Sequence, residues 1–247
     1  MKKVIALLCI IGIASILIYK ITNALFRDKV DSMMEYDTIE MKQFLASLKT
    51  GDLIAFMNRE NARFLQYKLT SLVQGTPYIH LGIVVKALDG TPYILHMQLL
   101  NGKQYKLHSP NINKNTGGIY LENLENCLKL YIKRYKSLFG VFRVKEKSSY
   151  IFKAKKIFNI ALGIRNIKFM SNKEIVYHYV LRNILMQNIK DSRRNRAQCN
   201  ILIGYILEQL DIIKPAEDIY VTYAPDKMDA IIESCGAYNA MQQIKII

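Results

Sequence analysis

One cysteine and two histidines have the residue types that a thiol hydrolase requires. Cys199 stands near the start of an apolar run at 197–210, while His80 and His96 lie on two runs rich in β-branched and aromatic residues. Such an enzyme needs a thiolate, an imidazole that exchanges a proton with it, and a polar group that orients the imidazole. On residue types alone, a buried core cysteine and two structural histidines are the competing interpretation.

The two histidine-bearing runs, 78–86 and 92–98, predict a β-hairpin with a Leu-Asp-Gly turn at 88–90. A two-residue loop would place the imidazoles of His80 and His96 on opposite faces, because side chains alternate along a strand. A three-residue loop, closed by a glycine in the left-handed conformation, would place both on one face. We predict the three-residue loop.

The run at 197–210 has helical spacing of its apolar residues, which places Cys199 in the first turn, pointing inward. The partial positive charge of the helix N-terminus, with Arg194 and Arg196 nearby, predicts a lowered thiol pKa. Three neighbours of the catalytic candidates are predicted to line the substrate site. They are Tyr78 and Gly82, beside His80, with Gly82 leaving room near the imidazole, and Gln198, which precedes Cys199.

The four cysteines show no spacing typical of a metal site. Cys9 falls in an apolar N-terminal stretch, and Cys127 and Cys235 are interpreted as structural. The sequence therefore predicts neither a metal ion nor any other cofactor.

Hydrophobic periodicity predicts both helices and strands after the N-terminal stretch. A turn followed by a short buried strand is expected at 51–56, and further strands at 104–108, 118–121, 129–133 and 138–144. Helices are expected from 37 or 38 to 48 and at 61–73, 150–160 and 172–189.

The order of four short motifs resembles the circularly permuted branch of the NlpC/P60 papain-like superfamily, in particular the bacterial YiiX-type proteins and their poxvirus relatives. The motifs are Gly-Asp-Leu-Ile-Ala-Phe at 51–56, His-Leu-Gly-Ile-Val-Val at 80–85, His96, and Cys-Asn-Ile-Leu-Ile at 199–203. The resemblance covers 49–228. It implies an α+β permuted papain-like fold, an antiparallel sheet packed against helices, with Cys199 as nucleophile, His80 as base and His96 as orienting residue. The branch usually has Cys-Ser-Glu where this chain has Cys-Asn-Ile.

The N-terminal residues 4–19 are sixteen in number and carry no charge, and Lys20 interrupts a stretch that otherwise stays apolar to Phe26. A cleaved signal peptide is the rival interpretation, but no small-residue cleavage site follows. We predict a single-pass transmembrane anchor at 1–29, a tether at 30–36 and a catalytic domain at 37–247.

The formal net charge is +15, and eleven Lys and Arg face two acids between 150 and 198. This basic segment suits a membrane surface with anionic headgroups or an acidic protein, and equally a solvated surface. Nucleic acid is the least favoured partner, because no nucleic-acid-binding motif accompanies the charge.

Together these features predict a membrane-anchored cysteine hydrolase or acyltransferase, acting on an amide or ester of a peptide or a lipid. The alternative is a catalytically silent structural or interaction protein, located in a membrane or in the membrane of a large DNA virus particle.

Overall fold

The computed structural model describes residues 36–57, 78–98, 105–106, 118–135, 137–164, 168–169, 196–216 and 225–247. The predicted anchor at 1–29, the tether at 30–36 except its last residue, and the predicted helices at 61–73 and 172–189 lie outside the described residues. Within the described ranges, every helix is too short or too polar to cross a bilayer.

The described strands are β1 (Asp37–Ile39), β2 (Leu53–Met57), β3 (Tyr78–Lys86), β4 (Pro92–Gln98), β5 (Tyr105–Lys106), β6 (Gly118–Asn123), β7 (Leu138–Phe142), β8 (Lys168–Phe169), β9 (Arg196–Ala197) and β10 (Gln242–Ile246). The described α-helices are α1 (Met41–Ser47), α2 (Leu124–Tyr135), α3 (Ala154–Gly163), α4 (Cys199–Gln209) and α5 (Pro225–Ser234), and a 3₁₀ helix spans Glu146–Ile151.

Eight of these strands form one sheet in the order β1-β10-β7-β2-β3-β4-β6-β5, and β8 pairs with β9 separately. β1 runs parallel to β10, while the other pairs in the large sheet are antiparallel. The architecture is α+β, but the predicted antiparallel sheet of a permuted papain-like fold is wrong, because the parallel β1–β10 pair makes the sheet mixed. That pair joins the two ends of the domain.

Each face of the large sheet is covered by its own set of helices. The face that we call the α2 face packs against α1 and α2, through Phe44, Leu48, Ile54, Phe56, Val84, Ile94, Leu124, Cys127 and Leu128. The opposite face, the α4 face, packs against α3, α4 and α5, through Leu53, Ala55, Leu81, Ile83, Leu95, Ile157, Cys199, Leu202, Ile206 and Ile232. Alternation along β3 therefore assigns neighbouring residues to different hydrophobic cores.

The predicted strand at 129–133 is wrong, because these residues belong to α2. Asn123 caps this helix by accepting a hydrogen bond from the Asn126 amide at 3.1 Å. Leu124, Cys127 and Leu128 are fully buried on one side of the helix, which is a helical spacing. The predicted strand covered only residues 129–133, so this spacing lay outside it.

The Gly-Asp motif ties β2 to the end of β7. The Asp52 carboxylate is 1% exposed and accepts hydrogen bonds from the Lys49 and Val144 amides, both at 2.9 Å. It also pairs with the Arg143 guanidinium at 3.1 Å. Gly51 has φ +99°, and a Cβ there would lie 2.4 Å from the Phe152 ring. The motif therefore has a structural role.

We expect Asp52→Asn to lower the free energy of unfolding by ~3 kcal/mol, because the amide nitrogen cannot accept the hydrogen bonds that one carboxylate oxygen accepts and the guanidinium loses its partner. Urea denaturation measures the change. Glu125→Gln is the control, since it removes an acid from an exposed pair with Lys129 and should have little effect. Equal stabilities of the two variants would contradict this role of Asp52.

Candidate functional site

The β3–β4 hairpin sets the position of both histidines. The Ala87 amide donates to the Thr91 carbonyl at 2.9 Å, and Gly90, with φ +83°, closes the loop between them. Gly82 then lies opposite His96 in the ladder. The predicted three-residue loop is confirmed, and it places both imidazoles on the α2 face.

The two imidazoles are in direct contact. Nε2 of His80 lies 2.8 Å from Nδ1 of His96, which is a hydrogen-bond distance. His96 is fully buried, and His80 is 8% exposed. Phe56 and Tyr131 pack against the His80 ring, with ring centroids 5.2 Å and 5.9 Å away. The pair is thus held by aromatic neighbours from β2 and α2.

Burial, followed by the neighbouring His96, lowers the pKa of His80 well below its ordinary value. The His80 imidazole is therefore neutral at physiological pH. One of the two nitrogens in this contact donates and the other accepts, so the contact has two possible tautomeric arrangements.

Glu122 and Cys127 complete a group with His96. Oε2 of Glu122 lies 3.2 Å from Nε2 of His96. The donor atoms of His96, Glu122 and Cys127 all lie within 4.8 Å of one another. This His-Glu-Cys group is compatible with a catalytic site.

The charge state of this group follows from its burial. Cys127 is fully buried, and the Glu122 side chain is 13% exposed. Burial, and then the charge of Glu122 and a hydrogen bond to it, raise the pKa of the Cys127 thiol well above its ordinary value. The thiol is therefore protonated at neutral pH and donates to the carboxylate.

The Nε2 atom of His96 has no hydrogen-bond partner within the described part of the chain. Glu122 Oε2 is near enough, but its direction from the ring is not that of an aligned hydrogen bond. A buried ring nitrogen without a hydrogen-bond partner is unusual in a folded protein.

Cys199 occupies the first position of α4, as predicted, but on the α4 face. The Leu81 amide is near enough to favour the charged form of the Cys199 thiol, and the Leu81 side chain belongs to the core of the α4 face, opposite to the face that carries His80. The structure therefore brings His80 and His96 together and does not bring Cys199 to them. The amphipathic pattern of α4 shows which side is buried, but not which sheet face covers it.

The predicted lowering of the Cys199 pKa is also wrong. Backbone amides of Leu81, Asn200 and Cys199 itself do favour the thiolate. Burial is the larger effect, and it raises the thiol pKa above its ordinary value. The helix N-terminus therefore does not activate this cysteine in the folded protein.

The three predicted substrate-binding residues lie in different surroundings. An irregularity in the β2–β3 pairing turns Tyr78 onto the α4 face, where its ring lies over Gly140. A Cβ at Gly82 would lie 2.5 Å from Ile94, so the expected room is filled. Gln198 is partly exposed and directly precedes α4.

Sequence reasoning missed Glu122 and assigned Cys127 no chemistry. Glu122 is near the end of β6, and Cys127 lies in the first half of α2. Their spacing of five residues crosses a strand–helix junction and matches no metal or catalytic motif. Correct prediction of α2 was the one available signal, because it would have placed Cys127 on the buried side.

No protein-family model matches the chain, and no curated protein is significantly similar to it. The resemblance to the NlpC/P60 superfamily stays a prediction from short motifs.

We expect Cys235 to react with iodoacetamide faster than Cys127 and Cys199 in the native protein. Cys235 is partly exposed, whereas the other two are buried and have raised thiol pKa values. Mass spectrometry of peptides labelled at neutral pH gives the order, and labelling in denaturant is the control. Preferential labelling of Cys199 would instead support it as a nucleophile.

Proposed function

We propose that the protein is a hydrolase or acyltransferase that acts on an amide or ester of a peptide or a lipid, with His80 as general base. The observation that carries this proposal is the buried series Glu122–His96–His80, with contacts of 3.2 Å and 2.8 Å. A carboxylate behind an imidazole orients it and stabilises its charged form during proton transfer.

The Glu122–His96–His80 series provides a base in one of the two tautomeric arrangements of the histidine pair. The negative charge of Glu122, whose Oε2 lies 3.2 Å from Nε2 of His96, favours a proton on that nitrogen. Nδ1 of His96 then accepts a hydrogen bond from Nε2–H of His80. The second nitrogen of His80, Nδ1, is left with a lone pair. His80 is the less buried of the two histidines, which suits the residue that meets the substrate.

In the reaction, a water molecule or an acceptor hydroxyl attacks the substrate carbonyl carbon while Nδ1 of His80 takes its proton. The new C–O bond forms, and the tetrahedral intermediate carries the negative charge on the former carbonyl oxygen. The imidazolium returns the proton to the leaving amine or alcohol as the C–N or C–O bond breaks. His96 and Glu122 stabilise the positive charge that His80 carries between these two steps.

This mechanism replaces the Cys199-His80-His96 triad of the sequence analysis. Cys199 lies on the α4 face, and Cys127 contacts the opposite end of the series, at Glu122. A thiol at either place is not positioned to give its proton to Nδ1 of His80. The acyl chemistry is retained, and the nucleophile is an oxygen.

Activity of the full-length chain on a panel of p-nitrophenyl esters and peptide amides tests the proposal. We expect His80→Gln to lower kcat/KM by about 10²- to 10⁴-fold, the usual contribution of a general base. Glu122→Gln should lower it less, because this residue acts through His96. Circular dichroism establishes that each variant is folded.

Cys199→Ser is the matched control, and we expect it to retain the activity of the unaltered protein. Loss of activity in Cys199→Ser with retention in His80→Gln would favour the thiol mechanism over this one. Absence of turnover across the whole panel would remove the hydrolase proposal.

A second candidate function, binding to an anionic membrane surface, is supported by the charge at α3. Lys153, Lys155 and Lys156 line an open surface depression with Asn159 and Ile160. The first turn of α3 contains no acidic residue. Lysines beside the positive end of a helix repel it, and anionic headgroups would relieve this repulsion.

We expect Lys155→Glu/Lys156→Glu to reduce binding of the full-length chain to vesicles containing phosphatidylglycerol by about thirtyfold or more, with little change on phosphatidylcholine. Two membrane-proximal lysines contribute about 1 kcal/mol each, and charge reversal adds repulsion. Lys227→Glu/Lys245→Glu is the control, because it makes the same charge change at exposed positions on α5 and β10. Equal loss in both double variants would contradict a specific role of α3.

A further inference from the structure

We propose that Nε2 of His96, a carboxylate oxygen of Glu122 and Sγ of Cys127 bind one zinc ion, with His80 holding His96 in orientation. The three side chains come from β4, β6 and α2, and their donor atoms already lie within 4.8 Å of one another. The spacing of the cysteines predicted no metal site, because these ligands converge only in the folded chain.

The donor set suits zinc. Imidazole nitrogen, thiolate sulfur and carboxylate oxygen are its usual protein ligands, and thiolate disfavours magnesium and calcium. Zinc bond lengths of about 2.0–2.3 Å place tetrahedral ligand atoms roughly 3.3–3.8 Å apart. The group needs to contract by about 1.5 Å at most, which side-chain rotation at Glu122 and Cys127 can supply. Three protein ligands leave a fourth position for water.

The orientation of His96 is an independent observation in favour of a ligand. Its side chain is fully buried, and Nε2 has no hydrogen-bond partner among the residues described. Its other ring nitrogen is satisfied by His80. Nε2 and Oε2 are 3.2 Å apart without being aligned on each other. Two electron-pair donors converging in this way are suited to a shared cation, which would satisfy the buried nitrogen.

The charges also balance. When zinc binds, the Cys127 thiol releases its proton to solvent, and the Zn–S bond forms. The thiolate and the Glu122 carboxylate then neutralise the dipositive ion. A neutral cluster is the form in which buried charges are tolerated.

His80 completes the site as a positioning residue. With zinc on Nε2, the ring proton of His96 resides on Nδ1 and donates to Nε2 of His80 at the observed distance of 2.8 Å. Metal-binding histidines commonly have such a partner on the second nitrogen, and its loss weakens metal binding.

Zinc and the general base require opposite tautomers, which gives a consequence that rests on the proposed function. With zinc bound, Nε2 of His80 accepts the hydrogen bond, so its proton is on Nδ1. The nitrogen that would take a proton from the nucleophile is then blocked. Zinc should therefore inhibit the proposed hydrolase.

Cobalt(II) titration of the full-length chain, freed of metal with a chelator, tests the site without measuring activity. We expect one equivalent to bind, with the absorption of a thiolate-to-cobalt charge transfer, and zinc to displace it. Cys127→Ser should abolish this absorption. His80→Gln should retain it but weaken zinc binding by about 10- to 100-fold, as measured by competition with a chelator.

Cys199→Ser and Cys235→Ser are the controls, and both should bind cobalt as the unaltered protein does. A cobalt complex of the unaltered protein that lacks the thiolate absorption would overturn the proposal, whatever the variants do. Retention of the absorption in Cys127→Ser, or its loss in Cys199→Ser, would overturn it too. Zinc binding without esterase or amidase activity would leave the metal site standing and remove only the hydrolase.

Discussion

The register of the β3–β4 hairpin is the constraint on which the site depends. Gly82 lies opposite His96, so both histidines face α2. A shift by one residue would turn one whole strand over and bury an imidazole among the aliphatic side chains of the α4 face. The Leu-Asp-Gly loop prevents this shift, because the closing position of the loop has a positive φ. Gly90 adopts this conformation readily, whereas a β-branched residue moved into that position would avoid it. Gly82 adds to the constraint, since a Cβ there would collide with Ile94.

The same register extends through β4 to β6 and so determines the partners of His96. Ile94 lies opposite Glu122, and His96 lies opposite Tyr120. Glu122 is therefore diagonal to His96 on the α2 face, within reach of its ring. Because α2 begins directly after β6, Cys127 is brought over this same corner. One turn thus organises four polar side chains from four elements, β3, β4, β6 and α2.

Local patterns in the sequence were sufficient for the hairpin, its loop and the start of α4. They were insufficient to predict contacts that depend on which face of the sheet a helix covers. The helical spacing around Cys199 shows that the thiol points inward, but either face of the sheet could receive it. The prediction of a lowered Cys199 thiol pKa was wrong for a related reason. The helix N-terminus can be recognised in the sequence, whereas the extent of burial cannot. The parallel β1–β10 pair joins segments some two hundred residues apart, and short-range patterns carry no information on it.

The buried nitrogen of His96 connects the two chemistries proposed for the site. As an N–H group it faces a carboxylate and leaves His80 free to accept a proton. As a metal ligand it reverses the direction of the hydrogen bond to His80, with the same 2.8 Å contact. The two imidazole rings need little rearrangement between these states, because a proton and a cation compete for one lone pair. The exchange requires no change in the sheet, whose register fixes the imidazoles in both states.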